Sequence, residues 1–281
     1  MSNPKLQRPI RHATERVLNT VLLGGRVARW SYRLGGLGRV GVSRHAVALP
    51  LDLRLPRSLR IAFASDFHAG PTTDPGLFDE LLACLRREGP DVLLLGGDYV
   101  SFDAHHVGAL QAFLRAARAP LGTFAVLGNH DIWNGRAVIE AALAEAGVEV
   151  LVNRSAALPG PFGEVSICGV DDPWTGAPSA ADAFAEARAV RIYLMHSPDG
   201  LVLLDGQRFA LGLAGHTHGG QIALRDGTPL FRPSGPCSRD YCHGRYEIPG
   251  NGPLLVGRGI GCAGIPLRLN ADPELLICTL G

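Results

Sequence analysis

The chain has 281 residues and a formal net charge of +1, with 46% hydrophobic and 19% charged residues. That is enough apolar sequence for a sizeable core and too little charge for a disordered chain. This composition excludes collagen, coiled coils, disulfide-stapled miniproteins and polytopic membrane proteins. Most of the six cysteines lie inside apolar runs, as in Ile167-Cys168 and Ile277-Cys278, and we interpret them as buried, reduced thiols.

The N-terminal segment is strongly basic. Residues 1–51 carry nine basic residues and one acidic residue, whereas the rest of the chain carries 18 basic and 25 acidic residues. We predict an extension over 1–57 with a helix near 12–33. The apolar stretch at 17–25 is too short to span a bilayer, which takes about 20 residues, and polar residues within it argue against a signal peptide. A cytoplasmic protein is therefore expected.

Two interpretations of this basic segment remain open. Residues 1–45 adsorb to an anionic membrane surface, which would make the protein peripheral on the inner membrane, because a helix with an apolar stripe and several arginines suits that surface. Alternatively, the segment is a solvated basic helix packed on the folded domain.

From residue 60 onward, strands and helices alternate. The pattern predicts strands over 61–65, 91–95 and 124–127 and helices near 75–88, 105–118 and 135–146. Such βαβ repeats indicate a parallel sheet. The second half predicts one helix near 180–189 and short strands near 148–152, 164–170, 190–196, 209–214, 220–225, 253–258 and 273–280. We therefore expect one α/β domain over 58–281, with a second, more mixed sheet facing the first.

Each of the first three strands runs into polar residues at its end. These are Asp66 and His68 after the first strand, Asp98 after the second, and Gly128-Asn129-His130-Asp131 after the third. Taken singly, each group also fits a tight turn or a helix cap. Because α/β folds place ligands at the carboxyl ends of parallel strands, we expect the three groups to converge.

Histidines follow two of the later strands. His196 comes directly after 190–195, and Gly215-His216-Thr217-His218 comes after 211–214. A lone His196 is compatible with a buried structural role. Histidines two residues apart point to one side of an extended chain, so this pair favours metal binding.

Together these groups supply seven side chains of the metal-ligand type. They are Asp66, His68, Asp98, Asn129, His196, His216 and His218. Mixed oxygen and nitrogen donors without cysteine suit Mn²⁺ first, with Fe or Zn²⁺ as alternatives. Seven ligands are too many for one tetrahedral ion, so we expect two divalent ions that share a carboxylate, as in dimetal phosphoesterases.

These blocks, in this order, resemble the calcineurin-like metallophosphoesterases. The resemblance implies a four-layer α/β/β/α sandwich of two facing mixed sheets, with the dimetal site at the carboxyl ends of the strands. It implies one ion held by Asp66, His68, Asp98 and His218 and the other by Asp98, Asn129, His196 and His216. It further implies that His130 acts beside the substrate phosphate, that Asp131 orients His130, and that a hydroxide held by both ions attacks phosphorus.

A narrower resemblance, to YkuE-type phosphodiesterases and UDP-2,3-diacylglucosamine hydrolases, rests on residues 167–174, 215–221 and 257–274. It implies hydrolysis of a phosphodiester or pyrophosphate bond, such as that of UDP-2,3-diacylglucosamine in lipid A biosynthesis. Some lipid A hydrolases carry Arg in place of His130, so their substrate does not transfer directly. The alternatives are a soluble nucleotide or cyclic-nucleotide phosphodiesterase and a metal-free scaffold. We expect no nucleic-acid partner, and the sequence does not indicate an oligomeric state.

The roles of one cysteine-containing loop and of two aromatic residues stay open. Cys237, Cys242 and His243 lie in one loop, and we interpret them as ordinary loop residues because no further metal ligand is nearby. Trp174 and Phe231 either line a pocket for an acyl chain or a base, or pack at the rim of the site.

Overall fold

Two sheets, each with six strands, form the centre of the computed structural model, which describes residues 17–50, 53–233 and 235–281. The first sheet has the spatial order β1-β12-β2-β3-β4-β5. Its strands are β1 (Gly41–Val47), β2 (Leu59–Ala64), β3 (Val92–Leu95), β4 (Thr123–Ala125), β5 (Glu149–Val150) and β12 (Glu274–Leu280). Strands β2 to β5 run parallel, β12 is antiparallel to β2, and β1 is parallel to β12. The sheet is therefore mixed.

The second sheet has the spatial order β10-β11-β9-β8-β7-β6. Its strands are β6 (Arg154–Ala157), β7 (Val165–Gly169), β8 (Val190–Leu194), β9 (Leu211–Ala214), β10 (Gly244–Glu247) and β11 (Pro253–Val256). The four central strands run parallel, and β6 and β10 are antiparallel strands at the two edges. This sheet is mixed as well, as expected.

Short helices connect the strands. They are α1 (Arg26–Arg33), α2 (Gly76–Glu88), α3 (Gln111–Ala116), α4 (Asn129–Glu145) and α5 (Ala180–Phe184), with 3₁₀ helices at Ala104–Leu110, Gly160–Phe162, Pro198–Leu203 and His218–Gly220. Residues 17–21 are also helical. Among the residues described, no helix combines the length and the apolar character needed to cross a membrane.

Alternation along the strands divides the core into layers. In β2, Ile61 and Phe63 point between the sheets, where they join Ile167 of β7 and Leu213 of β9 in one buried cluster. Ala62 points the other way, into a cluster formed with the helices α2, α3 and α4. A third cluster packs α5 and neighbouring loops against the outer face of the second sheet. The result is the predicted α/β/β/α sandwich, held together by apolar burial on both faces of each sheet.

Most predicted elements of the α/β pattern are present, but three predictions need correction. The helix near 12–33 lies partly outside the described residues, and within them it is interrupted at 22–25, where Gly24 and Gly25 adopt φ values of 59° and 84°. The predicted helix 105–118 begins as the 3₁₀ helix Ala104–Leu110. The strand predicted at 220–225 is wrong, because only isolated bridges form at Ile222 and Ala223 after a turn with left-handed glycines.

Three strands had no counterpart in the sequence prediction, namely β1, β6 and β10. Each lies at the edge of a sheet and has exposed or half-exposed residues, so none has the buried apolar run that marks the central strands. Strand β1 belongs to the segment predicted as an extension, and the domain boundary at residue 57 stays a prediction. All six cysteines are free, and five of them are buried, as predicted.

Close backbone approach after β3 requires glycine at position 97. Gly97 has φ 87°, and a Cβ there would lie 2.5 Å from the backbone nitrogen of Gly128 in the loop after β4. Gly89, at the end of α2, also has a positive φ (55°), but nothing lies within 4 Å of its Cβ position. A comparison of substitutions at these two positions therefore separates the cost of a left-handed backbone from the cost of steric overlap.

We predict that Gly97→Ala destabilises the protein more than Gly89→Ala. A left-handed alanine costs about 1–2 kcal/mol at either position, and overlap with backbone adds about 1–3 kcal/mol at position 97 only. Urea unfolding midpoints of the two variants measure the difference. Equal midpoints would show that the loops after β3 and β4 can separate at no cost.

Candidate metal centre

The carboxyl ends of five strands from both sheets meet at one end of the sandwich. Strands β2, β3 and β4 of the first sheet and β8 and β9 of the second run into the loops that carry the predicted ligands. The structure brings all seven together: Asp66, His68, Asp98, Asn129, His196, His216 and His218. Six of them are buried, and His216 is half-buried.

A first cluster consists of Asp66, His68 and His218, whose ligand-type atoms lie within 4.8 Å of one another. The Nε2 atoms of His68 and His218 are 3.0 Å apart. The His218 Nε2 atom lies 3.6 Å from Oδ1 of Asp66.

A second cluster consists of Asp98, His196 and His216, again with ligand-type atoms within 4.8 Å. The amide oxygen of Asn129 joins it, 3.1 Å from Nε2 of His196 and 3.1 Å from Nδ1 of His216.

Asp98 lies between the two clusters. Its Oδ2 atom is 3.5 Å from Nε2 of His68 and 3.4 Å from Nε2 of His196, while its Oδ1 atom accepts a 2.9 Å hydrogen bond from the backbone N–H of His130. One carboxylate oxygen therefore faces an imidazole from each cluster. This is the position that a shared ligand of two ions requires.

The backbone at these ligands adopts a sparsely populated conformation. Five of the seven have a positive φ, between 44° and 72°: Asp66, His68, Asp98, His216 and His218. Non-glycine residues rarely adopt such angles, and they cluster at functional sites when the surrounding fold enforces them. The expectation that His216 and His218 lie on an extended chain is wrong, and the left-handed turn instead directs one imidazole into each cluster.

Burial determines the charge state of three of the histidines. It holds the pKa of His68 and of His216 down at about 3 and that of His218 well below the ordinary value, with neighbouring cations adding to the effect. Burial also raises the pKa of Asp66 to about 6. Three imidazoles are thus neutral near pH 7, which is the form that binds metal.

His196 and Asp98 form an ion pair in this buried setting. Burial lowers the pKa of His196, but the carboxylate of Asp98, assisted by Asp66 and Asp172, outweighs it and raises the pKa well above its ordinary value. Conversely, burial raises the pKa of Asp98, and His196 and the other imidazoles outweigh it, so that this carboxyl remains ionised. A bound dication would take over the role of the imidazolium as countercharge.

The donor set fits divalent metal ions. The Nδ1 atom of His196 donates to the carbonyl oxygen of Gly96 at 2.7 Å, so a dication that displaces the Nε2 proton would find the Nε2 lone pair directed into the cluster. The Nδ1 atom of His68 is buried and has no hydrogen-bond partner in the described structure. Imidazole nitrogens only 3.0 Å apart beside carboxylates form a set of lone pairs that a cation satisfies.

His130 is held differently from the seven ligands. Its Nδ1 atom lies 2.6 Å from the carbonyl oxygen of Ser101, and its ring meets those of His68 and Trp133 edge to face, at angles of 87° and 67° and centroid distances of 4.8 and 5.3 Å. The ring is half-buried at the edge of the first cluster. Its Nε2 atom therefore remains for a ligand.

The expectation that Asp131 orients the His130 ring is wrong. The buried Asp131 carboxylate instead accepts hydrogen bonds from the backbone N–H groups of Asp98, Tyr99 and Gly128, at 2.8, 2.8 and 2.9 Å. The carbonyl of Ser101 orients His130. Asp131 fixes the two loops that carry Asp98 and Asn129.

Two buried groups beside the clusters lacked an assigned role in the sequence analysis. The guanidinium of Arg268 donates to the carbonyls of Gly261 and Ala271 and lies 3.2 Å from Nδ1 of His218, so it packs behind that ring. Asp172 is buried, and one of its carboxylate oxygens has no partner in the described structure. Both lie in the segments that carry the narrower resemblance, but only the fold shows that they are close to the clusters.

The structure also places the aromatic residues and cysteines whose roles the sequence left open. Trp174 lies beside His216 with a centroid distance of 5.4 Å, and its indole N–H donates to Asp199. Phe231 lines a cavity of about 380 Å³ next to His216 and His218. Cys237 and Cys242 belong to no group of prospective metal ligands in the part of the chain that the structure describes.

Known proteins share this sequence pattern. The family model for calcineurin-like phosphoesterases matches residues 59–220, a range that contains all nine predicted site residues. Phosphodiesterase YaeI of Escherichia coli is 31% identical over 242 residues, covering 84% of this chain and 87% of YaeI. Metallophosphoesterase YkuE of Bacillus subtilis is 32% identical over 206 residues, covering 71% of each protein.

Among solved structures, a 5'-nucleotidase precursor from Thermus thermophilus superposes with a TM-score of 0.45 at 19% identity, covering 79% of this chain and 55% of that chain. The family match and the two bacterial relatives decide the assignment. The chain belongs to the calcineurin-like phosphoesterase family, in its YkuE-type branch, and is a metal-dependent phosphoesterase.

Proposed function

We propose that the protein is a dimetal hydrolase that cleaves phosphodiester or pyrophosphate bonds. The observation that carries this proposal is the position of Asp98 between two ligand clusters. Asp66, His68, Asp98 and His218 would hold one divalent ion. Asp98, Asn129, His196 and His216 would hold the other. Mn²⁺ suits this set of oxygen and imidazole donors, with Fe or Zn²⁺ as alternatives.

Ions bound there supply Lewis-acid polarisation of the phosphoryl group and activation of water. The chain itself provides groups that hold and neutralise the substrate. The Nδ1 atom of His130 donates to the Ser101 carbonyl, so the imidazolium form, which carries a proton on both ring nitrogens, is the one that can donate from Nε2 to a phosphoryl oxygen or give a proton to the leaving oxygen. Trp133 lies beside His130, and Trp174 lies beside His216 in the second cluster.

The substrate class proposed first is a membrane or envelope lipid precursor such as UDP-2,3-diacylglucosamine. The basic N-terminal segment supports it, since residues 1–45 would bring the enzyme to anionic lipid at the cytoplasmic face of the inner membrane. A role in lipid A biosynthesis would follow.

A second candidate is a soluble nucleotide or cyclic-nucleotide phosphodiesterase. The position of Trp174 favours it, because an aromatic ring beside His216 offers a surface on which a base can stack. A metal-free scaffold is the weaker alternative, because all seven ligand side chains and His130 are present and converge.

A substrate panel tests the proposed function. With Mn²⁺ added, we expect the full-length enzyme to hydrolyse bis-p-nitrophenyl phosphate faster than p-nitrophenyl phosphate, and UDP-2,3-diacylglucosamine faster than cyclic nucleotides. Release of p-nitrophenolate measures the rates for the two p-nitrophenyl esters, and chromatography of the nucleoside monophosphate product measures the other two. If neither bis-p-nitrophenyl phosphate nor UDP-2,3-diacylglucosamine is hydrolysed with any divalent metal, the proposal is contradicted.

We predict that Asp98→Asn removes both ions, because one carboxylate oxygen faces both clusters and an amide lacks its charge. Asn129→Ala should retain the ion of the first cluster, since Asn129 contacts only His196 and His216 among the ligands. Elemental analysis after gel filtration counts the ions. Asp226→Asn, an exposed acid outside the site, is the control. Two ions retained in Asp98→Asn would disprove the bridging position.

We predict that His130→Ala keeps both ions and lowers kcat by about 10²–10³, the loss typical of a donor that stabilises transition-state charge. Loss of a general acid should affect alkyl diesters more than p-nitrophenyl esters, whose leaving oxygen needs little protonation. Steady-state kinetics with both ester types measures this bias.

The matched control for this substitution is His105→Ala, which removes an exposed histidine of the neighbouring 3₁₀ helix. Loss of one ion in His130→Ala would instead make His130 a ligand. Unchanged turnover of an alkyl diester by His130→Ala would exclude His130 from the reaction.

A further inference from the structure

Exposed apolar side chains are concentrated on one region of the protein. Of the fourteen large hydrophobic residues that are exposed in the described structure, eight lie in α1 and its C-cap or in two loops next to it. They are Trp30, Leu34, Leu224, Leu230, Phe231, Ile265, Leu267 and Leu269, and we call them the apolar face. Contiguous exposed apolar area of this kind marks an interaction surface.

Backbone hydrogen bonds join the two loops of this face. The N–H of Leu269 donates to the carbonyl of Gln221, the N–H of Ala223 to that of Leu269, and the N–H of Leu230 to that of Ile222, at 3.0, 2.8 and 2.9 Å. Residues alternate across such paired segments. Ala223 and Arg268 are buried, so Leu224, Leu230, Leu267 and Leu269 point outward.

Helix α1 borders the same surface. The hydroxyl of Ser31 donates to the carbonyl of Pro266 at 2.6 Å, and the N–H of Arg268 donates to the carbonyl of Gly36 at 2.8 Å. Ala28 is the residue of α1 that is buried, and Trp30 and Leu34, four residues apart, are exposed together. The helix thus presents an aromatic and an aliphatic side chain beside the loops.

The charge of these segments has one dominant sign. Residues 17–50, 222–233 and 263–270 together contain eight arginines and one acidic residue, Asp226. Arg39 and Arg44 pair with Glu80 and Glu88, and Arg268 is buried, so the other five supply the basic charge of this surface. The arginines of α1 and those at 225 and 232 are exposed. Arginine and tryptophan around leucine side chains are the composition of helices and loops that lie in the interface of an anionic membrane.

The apolar face also leads to the metal centre. The lining of the cavity of about 380 Å³ includes His216 and His218 of the metal centre together with Ile222, Phe231 and Ile265. A molecule with an apolar portion in the membrane could therefore present its phosphate at the imidazoles.

We infer that the apolar face docks on an anionic lipid bilayer and that the enzyme takes an amphiphilic phosphoester from that bilayer. Uptake of the phosphoester from the bilayer rests on the proposed function, whereas docking of the apolar face does not. A second copy of the chain is a poorer occupant, because symmetric pairing would bring the same arginines against one another.

The test uses the full-length protein and sedimentation with vesicles of phosphatidylcholine, with and without one third phosphatidylglycerol. We expect binding to the anionic vesicles that weakens in 1 M salt, where the Debye length is about 3 Å. We expect the affinity of the double variant Leu34→Asp with Leu224→Asp for anionic vesicles to be lower than that of wild type by about tenfold or more, because the variant places charge where apolar contact is needed. Val202→Asp, an equally exposed apolar residue outside the face, should bind like wild type.

Equal loss of binding in the double variant and in Val202→Asp would overturn the docking surface, as would absence of binding by the wild-type protein. A wild-type dimer that the double variant dissociates, seen by analytical ultracentrifugation without vesicle binding, would assign the face to a second copy instead. Thermal unfolding of each variant verifies that the substitutions leave the fold intact.

Kinetics separates docking from the proposed function. Turnover of bis-p-nitrophenyl phosphate should be the same in wild type and the double variant, while KM for a long-chain alkyl p-nitrophenyl phosphate in anionic vesicles should rise several-fold. An unchanged KM would overturn uptake from the bilayer. Failure of the wild type to hydrolyse either ester would contradict the proposed function, whereas the sedimentation result would still decide the docking surface.

Discussion

The buried carboxylate of Asp131 is the interaction on which the geometry of the site depends. By accepting three backbone N–H groups from two loops, it fixes Asp98 and Asn129 relative to each other. These hydrogen bonds satisfy backbone groups that would otherwise be unpaired in the interior. They also oppose relaxation of the left-handed backbone at Asp98.

The site also requires both sheets. The first sheet supplies Asp66, His68, Asp98 and Asn129, and the second supplies the three remaining histidines. Apolar packing between the sheets therefore sets the distance between the donors of the first sheet and the three imidazoles of the second. Because the interior is close-packed, that distance is fixed to within small shifts, as a preorganised centre needs.

The same end of the sandwich combines two surfaces of different character. The metal centre is polar and mostly buried, and the apolar face beside it is exposed and rimmed by arginines. Both depend on residues 257–270: Arg268 packs behind His218 through its guanidinium, while its neighbours Leu267 and Leu269 point outward. One segment thus supports an imidazole of the first cluster and forms part of the outer surface.

The sequence by itself determined the α/β class, the central strands and the seven converging ligands, because buried apolar runs followed by Asp, Asn or His are local patterns. It missed the edge strands, whose exposed residues leave no such run, and it assigned a strand to 220–225, where left-handed glycines turn the chain. The family resemblance already implied which histidine joins which cluster, whereas only the tertiary structure decided what Asp131 contacts and where the apolar face forms. Those outcomes depend on backbone angles and on contacts between residues that are distant in sequence, 33 positions apart for Asp131 and Asp98 and 235 for Ser31 and Pro266, and no local pattern encodes them.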